Sequence, residues 1–416
     1  MSHAISPVPR LVARTQEISD PGPLLDLLPA DEPMTWLRRG EGIVAWGVAA
    51  ECRTGGEDRF SSASTWWRNV VRAAAVADEV EVPGSGLICL GSFAFADEPG
   101  DSVLVIPRVV VGRRGDRFWV TTIGSTAVET PALSPQERPE PPVNLVFADG
   151  ALSGAEWEGV VWEAVLHLNA GELDKVVLAR DLIATADAPI DVRWPLRRLG
   201  SEYEMCWTFH VDGLFGATPE LLVRREKGLV TSRVLAGTIR RTGDDEHDLT
   251  LAATLARSSK DLEEHEYAVR SVAEALEPHC SSMNVPEAPF VLHLPNVMHL
   301  ATDVAGVVPD TDSSTVLELA AALHPSAAVG GTPTDVAVDM IEEIEGMDRG
   351  RYAGPVGWMD AHGDGEFGIA LRSAEYAGTR VRLFAGCGIV ADSDPEAELA
   401  EAQAKFVPVR DALTGR

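Results

Sequence analysis

Positive charge is scarce in this chain. Its 416 residues carry 35 Lys and Arg against 64 Asp and Glu, a formal net charge of -29. Long-range repulsion of that size disfavours nonspecific binding to nucleic acid and to anionic lipid. An anionic small molecule would have to be met by a local cluster of cations or by a metal ion. Cysteine is sparse as well: Cys52, Cys89, Cys206, Cys280 and Cys387 are scattered, odd in number and without C-x-x-C spacing. That pattern argues against structural zinc and for a reducing compartment. No run approaches the roughly eighteen apolar residues of a membrane span, and Met1 to Arg14 has no apolar segment of signal-peptide type. A cytoplasmic protein with no membrane and no nucleic-acid partner is expected. H-E-x-x-H is missing, as are G-x-x-x-x-G-K-S/T and, in strand-turn-helix context, G-x-G-x-x-G, so zinc-protease and nucleotide chemistry have no motif to rest on. No repeat at a solenoid period is evident.

What is present is ordinary globular composition, 45% hydrophobic and 24% charged, in a chain long enough for a large core. Residues 1–25, rich in Pro, Ser and polar side chains, are expected as a loose leader. Ile43 to Ala50, Leu87 to Ala94, Val103 to Val111 and Arg117 to Ile123 read as strands, and Ser62 to Ala77 as a helix. The proline-rich stretch Pro131 to Pro142 is a boundary candidate, dividing residues 26–142 from 143–416. Ser153 to Leu168 reads as a helix with Trp157, Val160, Val161, Ala164 and Leu168 on one face, closed by Asn169-Ala170-Gly171. A strand follows from Lys175 to Ile183, with Lys175, Val177 and Ala179 sharing one face.

Two acidic clusters carry possible chemistry. Glu398, Glu401 and Lys405 are spaced by three and four, which stacks them on one helical face. Stacked carboxylates repel unless a cation, a proton or solvent intervenes, and the lysine one turn on is a ready anion anchor. Upstream, Ser259-Lys-Asp-Leu-Glu-Glu264-His265 opens a helix that could aim Glu264 rigidly. Hard divalent cations such as Mg²⁺ take one or two carboxylates plus a substrate oxygen. Alone, both clusters read first as solvated helix starts, and Lys175 as an exposed strand end.

Their company changes that reading. In order stand Lys175-Val-Val-Leu-Ala-Arg180, Thr218-Pro-Glu220-Leu-Leu222, Leu235-Ala-Gly-Thr238, Ser259-Lys-Asp-Leu-Glu-Glu264-His265 and Met298-His299-Leu-Ala-Thr302. Leu323-His-Pro-Ser-Ala-Ala328-Val-Gly-Gly-Thr-Pro333, Tyr352-Ala-Gly-Pro-Val-Gly-Trp358, Ile369-Ala-Leu-Arg372-Ser, Gly386-Cys-Gly388-Ile and Ser393-Asp-Pro-Glu-Ala-Glu398-Leu-Ala-Glu401-Ala-Gln-Ala-Lys405 follow. Over about residues 150 to 410 these blocks resemble the chorismate-utilising enzymes. Two departures are visible: Cys387 stands where the family usually has Ala, and Ala402 where a Thr usually follows the second Glu. The resemblance implies one large α/β (α+β) unit, with two mainly antiparallel sheets packed face to face, outer helices, and the N-terminal strands joining the same sheets.

It also implies the site. Chorismate would be the substrate and Mg²⁺ the cofactor, held by Glu264, Glu398 and Glu401. Lys175 would be the general base and Glu220 the general acid. Gly237, Thr238, His299, Thr302, Ala328, Tyr352, Arg372, Gly386, Gly388 and Lys405 would bind substrate. Members using ammonia typically carry Gln at the position of Lys175, so this lysine points to water as nucleophile and to a monomer without a glutamine amidotransferase partner. Members that go on to eliminate pyruvate usually carry Thr at the position of Ala328. The alanine therefore points to isochorismate formation rather than to salicylate synthesis.

Overall fold

The structure, a computed structural model, describes residues 7–294, 297–309 and 314–415, with the side chains of Lys260 and Glu264 outside the description. Its centre is a very large β-sheet in which every strand pairing is antiparallel except that of Val12–Ile18 with Ala75–Asp78. Helices cover the outside, as the resemblance implies. Ladder hydrogen bonds run unbroken from the N-terminal strands to the C-terminal ones: Pro33–Arg38 pairs with Trp207–Val211, and Ile88–Ser92 with Pro355–Asp360. Strand pairing thus joins what was expected as two packed sheets into one continuous network. Among the described residues no helix is long and apolar enough to cross a membrane.

The N-terminal expectation needs correction. Residues 1–25 are not a loose leader throughout, because Val12–Ile18 is a strand fully paired with Arg117–Gly124. Leu24 and Leu27 bury against Leu37, Val44, Val109, Val111 and Val120. Hydrophobic burial of a few residues outweighs the polar, proline-rich composition around them. The helix expected over Ser62 to Ala77 runs instead over Arg59–Ala73. Ala75–Asp78, helix-prone by composition, is drawn into the sheet by the parallel register of Val12 with Ala75, a case of pairing overriding propensity. Pro131 to Pro142 has no regular structure.

The elements that frame the site form where the sequence places them. Helix Gly154–Asn169 starts with a reciprocal capping box between Ser153 and Glu156, and buries Trp157, Val161, Ala164 and Leu168. The Trp157 indole donates to the Ala179 carbonyl at 3.0 Å, fixing the helix to the strand Lys175–Thr185. That strand lies beside Arg380–Ile389 in a long register from Val176 opposite Ile389 to Thr185 opposite Arg380. On its other side, near Lys175, it meets Gly331 and Thr332. The C-terminal helix Pro395–Thr414, capped by the Asp394 carboxylate on the Ala397 amide, packs on Arg380–Ile389 and on Gly154–Asn169.

Close approach demands glycine where the site loop meets the lysine strand. Gly331 has a φ of +148°, and a Cβ there would fall 2.2 Å from the Lys175 carbonyl oxygen and 2.6 Å from the Ala337 Cβ. Gly331→Ala is therefore expected to destabilise the protein by about 1–3 kcal/mol, read as a lowered midpoint of chemical denaturation. A midpoint equal to that of the wild type would show that the two segments separate freely.

Candidate active site

One cavity of about 210 Å³ gathers side chains from widely separated elements. Lys175 enters from the start of its strand, and Glu220 from the turn between strands Leu214–Thr218 and Leu221–Glu226. Gly237 and Thr238 come from strand Leu229–Arg240, and His299 from its neighbour Val297–Val307. Ala328, Tyr352 and Arg372 come from loops, Gly386 and Gly388 from strand Arg380–Ile389, and Glu398, Glu401 and Lys405 from the C-terminal helix. Of the residues singled out from the sequence, two stand apart from this set. Thr302 is buried and does not line the cavity; its hydroxyl meets His265 Nε2 at 2.7 Å, while His265 Nδ1 faces the Ala236 carbonyl at 3.2 Å. Thr302 thus braces the cavity wall through His265. Glu264 belongs to helix Ser259–Leu276, and its side chain lies outside the described residues.

Glu220 is the electrostatic centre. Its amide donates to the Thr218 hydroxyl at 3.2 Å, and the residue is 5% exposed. Burial dominates its titration and pushes the carboxyl up to about 8, against the pull of Lys175, Arg372 and Lys405. The acid is mostly protonated at neutral pH and can donate a proton. His299 shows the opposite effect of the same burial: desolvation, helped by Arg372 and Lys405, lowers it to about 3. It is neutral, with Nδ1 3.0 Å from the Thr238 hydroxyl. Its Nε2 is buried without a hydrogen-bond partner among the described residues, a vacancy that a polar group in the cavity would fill.

Cations and carboxylates divide the opposite wall. Lys405 donates to the Gly386 carbonyl at 2.8 Å and pairs with Glu401 at 2.7 Å. Burial opposes the Lys405 charge, but Cys387 and Glu401 outweigh it and raise the ammonium above its usual value. Burial likewise works to raise Glu401, and Lys405 with Arg372 and Lys175 overrides it, so that carboxylate is lowered. Glu398 accepts from the Ser393 hydroxyl at 2.8 Å. Ligand atoms of Glu398, Glu401 and Cys387 lie within 4.8 Å of one another. Two oxygens at that spacing suit a hard divalent cation. The thiol is a poorer partner for such an ion, because burial pushes Cys387 up to about 12 and its Sγ sits 3.4 Å from the Glu398 carbonyl. It also alternates along the strand with Gly386 and Gly388, the two positions that line the cavity.

Backbone geometry keeps the cavity open and shaped. Tyr352 stacks on Phe384, ring centroids 5.0 Å apart and 10° from parallel, and a Cβ at Gly386 would fall 3.0 Å from its hydroxyl. Arg372 and Ala353 both line the cavity with left-handed φ values of 48° and 61°, a conformation that costs energy and concentrates at functional sites. A register shift between Ala236 and Thr238 turns the chain at Gly237, the kind of bulge that re-aims a side chain. Two charged lining residues, Asp261 and Arg349, are not among those that the sequence singles out, and Arg349, in Asp348-Arg349-Gly350, carries no local signal of its role.

Comparison with known proteins gives a consistent picture. The family described as "Chorismate binding enzyme" matches residues 27–414. A salicylate biosynthesis isochorismate synthase of Pseudomonas aeruginosa is 35% identical, covering 98% of this chain and 90% of that protein. The isochorismate synthase MenF of Bacillus subtilis is 38% identical over 65% of this chain, a match spanning 58% of that relative's length. Among solved structures, the menaquinone-specific isochorismate synthase MenF from Escherichia coli superposes with a TM-score of 0.80 at 25% identity. It covers 99% of this chain and 96% of its own.

The raised Glu220 carboxyl has a stability signature. Its folded value of about 8 lies above its ordinary 4.5, so the native state holds a proton that the unfolded chain releases between these limits. Its contribution is fully present below pH about 4.5 and is lost as pH rises to about 8. Glu220→Gln, neutral and similar in shape, is expected to gain stability relative to wild type across that window, and the gain should level off above it. Denaturation midpoints measured across pH check this. A difference that stays constant with pH would mean that Glu220 is not held protonated.

Proposed function

The chain belongs to the chorismate-binding enzyme family, and we propose that it is an isochorismate synthase, an isomerase that moves the ring hydroxyl of chorismate by adding water at C2 and expelling the hydroxyl at C4. The observation that carries this reading is the placement of Lys175 and a protonated Glu220 on one cavity whose other wall offers Arg372 and Lys405 as anion anchors. A base and an acid on one bound ring are the two groups that displacement of a hydroxyl by water requires.

In this reading the two substrate carboxylates are met by Arg372, by Lys405 and by backbone amides around Gly386 to Gly388, where glycine allows close approach. Glu398 and Glu401, with Glu264, would hold Mg²⁺. When bound, the ion offsets the charge of a substrate carboxylate. Lys175 takes a proton from water as it attacks C2, and Glu220 gives its proton to the departing C4 oxygen. Net charge is conserved on the protein over the cycle: Lys175 gains the proton that Glu220 loses, and solvent resets both. The unpartnered His299 Nε2 and the Thr238 hydroxyl hold the substrate's edge, with Tyr352 beside the pyruvyl side. Ala328 lines the cavity without a hydroxyl, which favours release of isochorismate over pyruvate elimination. Because water rather than ammonia is the nucleophile, no glutamine amidotransferase partner is needed.

Incubation with chorismate and Mg²⁺, followed by product analysis, tests the reading: isochorismate is expected, without anthranilate. Lys175→Gln keeps a polar side chain but removes the base. It is expected to cost roughly 10²–10⁴-fold in kcat with substrate binding largely kept, and wild-type turnover would remove the lysine from the mechanism. Ala328→Thr should divert part of the product to salicylate and pyruvate. A folded variant making only isochorismate would show that this position does not govern the outcome.

A further inference from the structure

At the cavity wall lies a buried ion pair that the reaction scheme does not use. Glu345 and Arg349 close the end of helix Thr334–Ile344 and the turn after it, with side chains almost entirely shielded from solvent. The Arg349 Nε donates to Glu345 Oε1 at 2.7 Å, and Nη2 to Oε2 at 2.5 Å. The rest of the guanidinium is turned to main chain: Nη1 donates to the Val329 carbonyl at 3.0 Å, and Nη2 to the Val177 carbonyl at 2.7 Å. Glu345 completes the node by accepting from the Ala179 amide at 2.8 Å. The guanidinium lies over the Phe95 ring, 4.2 Å from its centroid, and the Phe95 carbonyl accepts from His324 Nε2 at 2.9 Å.

The two carbonyls belong to the two walls that carry the chemistry. Val177 shares a strand face with Lys175, and Val329 directly follows Ala328; all four residues and Arg349 itself line the cavity. The same walls also meet along the main chain, through the Val177 amide on the Gly330 carbonyl and the Asp174 amide on the Thr332 carbonyl, both at 2.8 Å, and through the pairing of Gly331 with Val176; all of these contacts lie at the residue 330–332 end of the loop, past Ala328. A planar fork with donors in fixed directions adds a side-chain brace at Val329, next to Ala328, which a point charge could not give. The loop is held at its start as well, through His324 and Phe95.

We propose that Arg349 is a positioning residue for the water-addition step, fixing Lys175 relative to the loop that bears Ala328. The inference rests on the isochorismate synthase reading for its chemistry, but the brace itself is independent of it. Burial of the pair by itself would predict only a stability role; its two bonds to opposite cavity walls predict more.

The test compares wild type, Arg349→Lys and Glu345→Gln by steady-state turnover of chorismate with Mg²⁺ per folded protein, and by amide hydrogen exchange. Arg349→Lys keeps the charge opposite Glu345 and removes the fork. Its kcat is expected to fall about 100-fold, the cost typical of a small misplacement remote from the reacting atoms, with KM within about threefold. Exchange should quicken in residues 175–180 and 326–331 and stay unchanged in 395–414. Glu345→Gln, which keeps the side chain's shape, should lose kcat about tenfold with the same pattern, and it decides the matter if the lysine variant does not fold. A kcat near wild type in a folded variant, or a loss confined to KM with exchange unaltered, would overturn the proposal. Should the wild-type protein itself form no isochorismate, the functional reading fails, and the exchange comparison still decides whether Arg349 holds the two walls together.

Discussion

Everything in the cavity is arranged around one desolvated carboxyl. Glu220 is almost wholly buried at the cavity wall, and the free energy of burying it as an anion is avoided by keeping it protonated at neutral pH, even with Lys175, Arg372 and Lys405 drawing it the other way. A proton donor that survives beside these groups needs strong desolvation. The same desolvation holds His299 neutral and raises Tyr352 to about 12. The cations have separate compensation. Lys405 is tied to Glu401 and to the Gly386 carbonyl, so the wall opposite Glu220 is an alternation of positive and negative groups suited to an anion and a cation bound side by side. In a chain of net charge -29, this is the local exception that an anionic substrate requires.

The sheet makes such an arrangement possible. Lys175, Glu220, His299, Arg372 and Glu401 are far apart in sequence, and they converge because long antiparallel registers fix each strand end relative to the next. Glycine permits the closest contacts, at Gly331 against the Lys175 carbonyl and at Gly386 under the Tyr352 hydroxyl. Strain is stored where a side chain must face inward, as at Arg372 with its left-handed backbone. Groups that never touch the cavity's contents still shape it: Thr302 acts through His265, and Trp157 holds the middle of the lysine strand.

Much of this was legible in the residues. Helix Gly154–Asn169 and strand Lys175–Thr185 follow from apolar periodicity and a cap, and the stacking of Glu398, Glu401 and Lys405 from helical spacing. Their roles were not legible from spacing. A lysine at the start of an apolar strand reads the same whether it is exposed or faces a cavity, and only the resemblance tipped the balance. Thr302 was placed one layer too close to the substrate, because a strand's pattern gives its facing but not what packs on that face. Arg349 escaped because the carbonyls it reaches, of Val177 and Val329, are distant in the chain, and Asp261 because the cavity it lines is assembled from distant elements. The strand Val12–Ile18 was hidden in a polar leader for the same reason: its pairing with Arg117–Gly124 is a long-range fact.

The central claim is that this site adds water to the substrate ring while a buried acid expels the old hydroxyl. Turnover of chorismate in oxygen-18 water tests it most directly, with isochorismate analysed by mass spectrometry at early times. One heavy oxygen at C2 of the product is expected, since Lys175 activates solvent and the C4 oxygen leaves protonated. Unlabelled isochorismate would mean that the hydroxyl migrates within the substrate, and the roles given to Lys175 and Glu220 would be contradicted.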